Sequence, residues 1–196
     1  MAKDPKSMQK ILDVAQDMIS KNGVAKSSLR LISKEADIST GTLYYHYQSK
    51  NLLLADLLKK RFGGPQKLSI AILEHKNSDE DPIDTLIELL IRRTKNIKSS
   101  CVYLHMLDEA YSSNPEIFEI VKTQNMDWLN SLEIIISNLC GIGIGPETYT
   151  KALALESISQ GLMFQYMLHE NESNIDYTIE SIAGTIRELL ESWRNA

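Results

Sequence analysis

The stretch Ala36–Leu58, ADISTGTLYYHYQSKNLLLADLL, packs three tyrosines, a histidine, two threonines, a serine and a glycine between Ser39 and Gln48, ahead of a leucine-rich run. The leucines recur at helical spacing and belong to a core. The ten residues before them are too rich in hydroxyls for that, so they are expected to be displayed rather than buried.

Upstream of this stretch, Ile11, Leu12, Ala15, Met18 and Ile19 fall on one face of a helix that should stop near Asn22-Gly23, a C-cap signal. A short second helix follows Ser27-Ser28, either of which can be its N-cap, and buries Leu29, Ile32 and Ala36. Asp37 precedes Ile38, and Ser39 begins a third short helix. Ser49 then opens a fourth with Leu52, Leu53, Asp56 and Leu57. Three helices with a tight turn between the second and third make a helix-turn-helix, whose third helix enters the major groove of duplex DNA.

That third helix is too short to persist alone, since isolated helices below about 12 residues are marginal. Leu43 and Tyr47, four apart, are its natural pins, which leaves Thr40, Thr42, Tyr44, Tyr45 and His46 to face outward or sideways. Gly41 costs about 1 kcal/mol against Ala inside a helix, a cost expected where a phosphate backbone passes too close for a side chain. Hydroxyls can donate to phosphate oxygens or reach base edges, and a threonine methyl can meet the thymine methyl. Lys50 adds a cation at the start of the fourth helix and Ser28 a hydroxyl at the start of the second, while Lys26, Arg30 and Lys34 supply a diffuse positive field.

Charge supports an anionic partner for this end of the chain only. The net charge is −5, yet residues 1–62 hold eleven Lys or Arg against six Asp or Glu, about +5, and residues 63–196 hold ten against twenty, about −10. Cys101 and Cys140 stand apart without a C-x-x-C spacing, which argues against a disulfide framework or a zinc site. The opening MAKDPKSMQK has no apolar core of a leader peptide, and no run approaches the roughly 18 apolar residues of a spanning helix. A soluble, cytoplasmic protein without metal or cofactor is expected.

The run ILDVAQDMISKNGVAKSSLRLISKEADISTGTLYYHYQSKNLLLADLL resembles the amino-terminal domain of the tetracycline-repressor (TetR) family of bacterial transcription regulators. The family pattern here is I-A-x-x-A-G-V-S-x-G-T-L-Y-x-H-F-x-S-K-x-x-L, and GTLYYHY followed by SK matches it at fixed offsets over about a quarter of the chain. By position, the resemblance implies DNA contacts from Ser28, Thr40, Thr42, Tyr44, Tyr45, His46 and Lys50, with Gly41 at the point of close approach. Ser33 replaces the usual Ala, Asp37 the usual turn Gly, and Tyr47 the usual Phe. Asp tolerates the left-handed conformation better than most residues, and Tyr47 can stay buried if its hydroxyl finds a partner.

The expected architecture is all-α, about nine helices, with a helix-turn-helix domain over 1–62 and a larger helical domain over 63–196. GGP at 63–65 should break or bend the fourth helix and mark the boundary, and the acidic loop NSDEDP follows. Helices are then expected at Pro82–Lys98, Val102–Tyr111, after SSNPE, at Glu147–His169 and at Ile175–Trp193, with GIGIGP and ENESN as turns. The resemblance implies that this second part binds a ligand and dimerises through its last two helices. Ala154, Ser157 and Gly161 on the penultimate helix, with Ile182 and Ile186 on the last, are the interface candidates. Tyr103, Met106, Trp128, Phe164 and Met167 are the pocket candidates, suited to a hydrophobic or amphipathic effector; His105 and Asp108 share a face but lack a third ligand for a metal.

No G-x-S-x-G, P-loop, dinucleotide fingerprint or H-E-x-x-H is present, so an enzyme is disfavoured. A helical protein-interaction module using the same fold without DNA is the other rival. The reading that results is a homodimeric DNA-binding regulator, a repressor released from a palindromic operator by a small molecule.

Overall fold

The structure, a computed structural model, describes residues 5–73, 81–112 and 114–196. All regular structure among them is α-helical, in nine helices: α1 Pro5–Asn22, α2 Leu29–Glu35, α3 Thr40–His46, α4 Lys50–Leu73, α5 Pro82–Lys95, α6 Ile97–Ser112, α7 Pro115–Cys140, α8 Pro146–His169 and α9 Ile175–Arg194. Most of NSDEDP, the first four residues and Ser113 of SSNPE lie outside the described residues. Compactness divides the chain into two units, Met1–Arg61 with Lys98–Gln124, and Phe62–Ile97 with Asn125–Ala196.

The first unit is built on capping chemistry as much as on packing. α1 buries Ile11, Leu12, Ala15 and Ile19, with Met18 half-buried, and ends where Gly23 takes φ +79° and donates its N–H to the Ile19 carbonyl at 2.9 Å. Of the two candidate caps of α2, Ser28 serves, accepting from the Leu31 N–H; Ser27 is fully buried and donates to the Gly23 carbonyl at 2.8 Å. α2 closes in a Schellman motif, with Asp37 N–H bonded to the Lys34 carbonyl and Ile38 N–H to the Ser33 carbonyl, each at 3.1 Å. Asp37 supplies the left-handed residue at φ +49°. Ser33 is buried and turns its hydroxyl onto the Arg30 carbonyl at 2.9 Å, which explains how the position tolerates a serine.

Two sequence expectations are corrected in α4. The helix runs unbroken through Gly63-Gly64-Pro65. Leu52 is 51% exposed, because Leu53, Leu54, Leu57 and Leu58 already form the inner face and Leu52 lies a helical step away from it. The fifth helix ends early: α5 stops at Lys95 and α6 begins at Ile97, parted by Asn96 in a non-helical conformation.

In the second unit α5 packs on α8 and α9, and α8 on α9. α5 is capped by Asp81, whose carboxylate accepts from the Ile83 N–H at 2.9 Å and from Arg194 at 2.8 Å. α7 ends at Gly141, φ +64°, again in a Schellman arrangement. At the centre lies an ion pair the sequence did not foretell: Arg93 bonds Glu156 in bidentate fashion at 2.7 and 2.8 Å, with side chains 5% and 3% exposed. The Arg93 guanidinium stands 4.0 Å from the Trp128 ring centroid and 4.8 Å from that of Phe62, and Gln160 adds a 2.7 Å bond to Glu156.

A buried pair of this kind contributes little beyond an apolar replacement, but breaking it strands a charge. Glu156→Ala should therefore lower unfolding stability in urea by about 3–5 kcal/mol, and the double variant Arg93→Met, Glu156→Leu should recover most of that loss.

Candidate nucleic-acid interface

The interface candidate is the outer surface of α2 and α3 in the first unit. α3 has seven residues and is held at both ends. Ser39 caps it, accepting from the Thr42 N–H at 3.0 Å, and shares a 2.8 Å bond with the Thr42 hydroxyl. Leu43 is fully buried, and Tyr47 is 3% exposed with its hydroxyl donating to Asp56 on α4 at 3.2 Å. Both act as the pins the spacing predicts.

With those residues turned inward, Thr40, Gly41, Thr42, Tyr44 and Tyr45 turn outward, the two tyrosines 49% and 48% exposed. Gly41 is not demanded by the fold: a Cβ there would meet nothing nearer than Ser39 Oγ at 3.7 Å, an ordinary contact. Between α2 and α3 lies an open cleft of about 640 Å³ lined by Ser28, Arg30, Leu31, Ser33, Lys34, Ile38, Ser39 and Thr40. Ser28 is exposed at its edge.

Two of the expected contact residues are not displayed outward. His46 is buried, 5% exposed, because at the last position of α3 it falls next to Tyr47 on the side that meets the core; its ring stands 5.4 Å from that of Tyr45 in edge geometry. Lys50 is half-buried and its ammonium donates to the Val24 carbonyl, in the turn after α1. Burial holds the Lys50 pKa below its ordinary value, against the opposing pull of the Glu109 carboxylate on α6. Lys50 thus ties α4 to the α1–α2 turn rather than reaching outward. Asn51 beside it donates to the Glu116 carboxylate, and Lys98 pairs with Asp17 at 2.7 Å, so α6 and the start of α7 brace the three-helix core.

The other candidates divide. Tyr103 and Met106 are buried in the first unit, whereas Trp128, Phe164 and Met167 belong to the second, so the five do not gather in one unit. Trp128 is 2% exposed and its indole N–H has no hydrogen-bond partner among the described residues; Met167 is half-buried. Phe164 is 45% exposed, on the outward side of α8 with Ala154, Ser157 and Gly161. Ile182 is half-exposed, but Ile186 is 4% exposed and packed within its own chain, since the apolar stripe of α9 is spent on α5 and α8.

Residues 11–57 match the model of the tetR family of bacterial regulatory proteins. Over this segment, about a quarter of the chain, the likeness is to the tetR family. Over 61 residues the chain is 38% identical to the fatty acid metabolism regulator protein of Bacillus subtilis, a match spanning 31% of each chain. It is 24% identical over 184 residues to IcaR, the negative transcriptional regulator of the biofilm operon icaADBC in Staphylococcus aureus, covering 94% of this chain and 80% of that one. Among solved structures, SmeT in its complex with triclosan superimposes with a TM-score of 0.69 at 18% identity, over 93% of this chain and 90% of the other. This last likeness is one of fold. The Tyr47 hydroxyl bond to Asp56 is one that a phenylalanine at this position could not make.

That bond carries a pH signature. Burial first, and then the Asp56 carboxylate, hold the Tyr47 phenol above its ordinary value of 10.0, so the folded chain keeps a proton that the unfolded chain loses. The resulting stability is present below pH 10 and is lost as pH rises through the folded value. Tyr47→Phe should cost about 1 kcal/mol near neutrality and make the decline above about pH 10 shallower than in the wild type, as measured by urea unfolding at a series of pH values.

Proposed function

We propose that the chain is a homodimeric, cytoplasmic transcription regulator that binds a palindromic operator through α2 and α3 and is released from it by a small molecule. The observation that carries this is the display of Thr40, Thr42, Tyr44 and Tyr45 from a helix whose apolar residues are all turned inward. These groups donate hydrogen bonds and offer flat apolar faces while carrying no charge, which suits positioning on phosphates and reading base edges. Residues 1–62 are assigned to DNA and 63–196 to ligand and dimer. IcaR, named a negative regulator, supports repression as the sense of control. The triclosan complex of SmeT supports a small-molecule response, and the unpaired indole N–H of Trp128 is a group such a ligand could satisfy.

For dimerisation we assign the outward face of α8, where Leu153, Ala154, Ser157, Ile158, Gly161, Phe164 and Leu168 are all exposed. The Ser157 hydroxyl is spent on the Leu153 carbonyl at 2.8 Å, so the face is largely apolar, with the exposed Gln165 as a polar side chain on it, and a Cβ at Gly161 would meet nothing within 4 Å. A twofold pair doubles the length of DNA read, at a spacing near one helical turn. No described helix is long and apolar enough to cross a membrane.

Gly41 gives the sharpest test, because the fold and the ligand pull in opposite directions there. Gly41→Ala should raise thermal stability, by about 0.5–1 kcal/mol, while weakening binding to DNA from beside the chain's own gene; a gain in both would remove the phosphate from its surroundings. The wild-type affinity, followed by gel shift, should fall steeply with salt, and an affinity insensitive to salt would favour the protein-interaction alternative. Gly161→Glu should yield monomers in sedimentation with helical content intact.

A further inference from the structure

Hydroxyls on the helices of the second unit commonly turn back onto their own backbone: Ser131 donates to the Asp127 carbonyl at 2.8 Å, Thr150 to that of Pro146 at 2.7 Å, Ser157 to that of Leu153 at 2.8 Å. Thr94 on α5 does not. It is 1% exposed, and its hydroxyl has no hydrogen-bond partner among the described residues. Two more enclosed polar atoms of this unit stand in the same condition, Asn125 Oδ1 and Trp128 Nε1, and their i, i+3 spacing puts them on one face of α7. Folded chains seldom leave such groups unpaired, because each has given up its hydration for nothing.

One contact joins the two helices: the Arg93 guanidinium of α5 lies over the Trp128 ring. Thr94 is the next residue of α5, and Asn125 stands a turn before Trp128 on α7. The charges here already cancel, since Arg93 and Glu156 bond each other twice. An ionised ligand head would bring a third, uncompensated charge into this interior at a high desolvation cost. The unpaired atoms call instead for a neutral group, one that offers an acceptor to the indole N–H and a donor to the Asn125 oxygen, with the Thr94 hydroxyl able to serve either. Phe62, edge-on to Trp128 with ring centroids 5.6 Å apart, gives the rest of such a ligand an apolar wall.

Resting on the small-molecule control proposed above, we infer that the effector site is centred on Thr94, Asn125 and Trp128 and takes an uncharged amphipathic molecule whose polar head both donates and accepts, as a carboxamide does. Fatty acids and alkyl amines of the same chain length are excluded by their charge.

The chain's two tryptophans are Trp128 and Trp193, so a Trp193→Phe background makes the emission of Trp128 a direct report on the site. Full-length protein in this background is titrated near neutral pH with octanamide, octanoate and octylamine. Octanamide should bind at least about 10-fold more tightly than either charged analogue and should release DNA from beside the chain's own gene in a gel shift. Thr94→Val and Asn125→Leu keep side-chain volume while removing an unpaired atom. Each should raise the melting temperature of the free protein by about 2–4 °C and weaken octanamide about 10-fold. A fall in melting temperature would mean that interior water already satisfies these atoms, and would overturn the site. So would an unshifted Trp128 emission with octanamide, or equal affinity for octanoate; salt-dependent DNA binding by the same preparation would then leave the regulator reading standing. Octanamide binding by a protein with no affinity for DNA would uphold the site and remove the regulator reading instead.

Discussion

Seven residues cannot hold a helix in water, and α3 has seven. Its conformation is imposed from outside: by the Ser39 cap at one end, by Leu43 and Tyr47 sunk into the core, by the Tyr47–Asp56 bond to α4, and by the left-handed Asp37 that sets the angle from α2. Once those inward positions are committed, helical geometry leaves Thr40, Thr42, Tyr44 and Tyr45 no direction but outward. Display of the polar face is thus a consequence of how the short helix is stabilised.

The same accounting of polar groups decides which cations are available to a ligand. Lys50 satisfies a backbone carbonyl in the α1–α2 turn and is thereby withdrawn from the surface. Arg93, deep in the second unit, is neutralised by Glu156 and stacked on two aromatic rings. Arg30 and Lys34, which have no such duties, remain at the cleft between α2 and α3. Of these cations, the two on α2 therefore stay at the surface and the one at the start of α4 does not.

The acidic body shows a comparable division. The apolar stripe of α9 is consumed inside the chain, with Ile179, Ala183, Ile186 and Leu190 buried. The mixed small and large apolar face of α8, from Leu153 to Leu168, is left exposed. An amphipathic pattern in sequence tells that a face will be buried, but not against what, and the two helices answer that differently.

Taken alone, the sequence determined the all-α class, the helix-turn-helix, the caps at Ser39 and Ser49, the pins of α3 and the tolerance of Asp37 for its turn. All of these follow from local rules, meaning periodicity, capping chemistry and left-handed preference within a few residues. Only the tertiary structure decided that α4 continues through Gly63-Gly64-Pro65, that His46 and Ile186 are buried, that Lys50 is engaged and that Phe164 is exposed. Nor could spacing reveal that Arg93 and Glu156, 63 residues apart, would meet. Each of these depends on which surfaces approach from distant parts of the chain, and a one-dimensional pattern carries the demand for a partner without its identity.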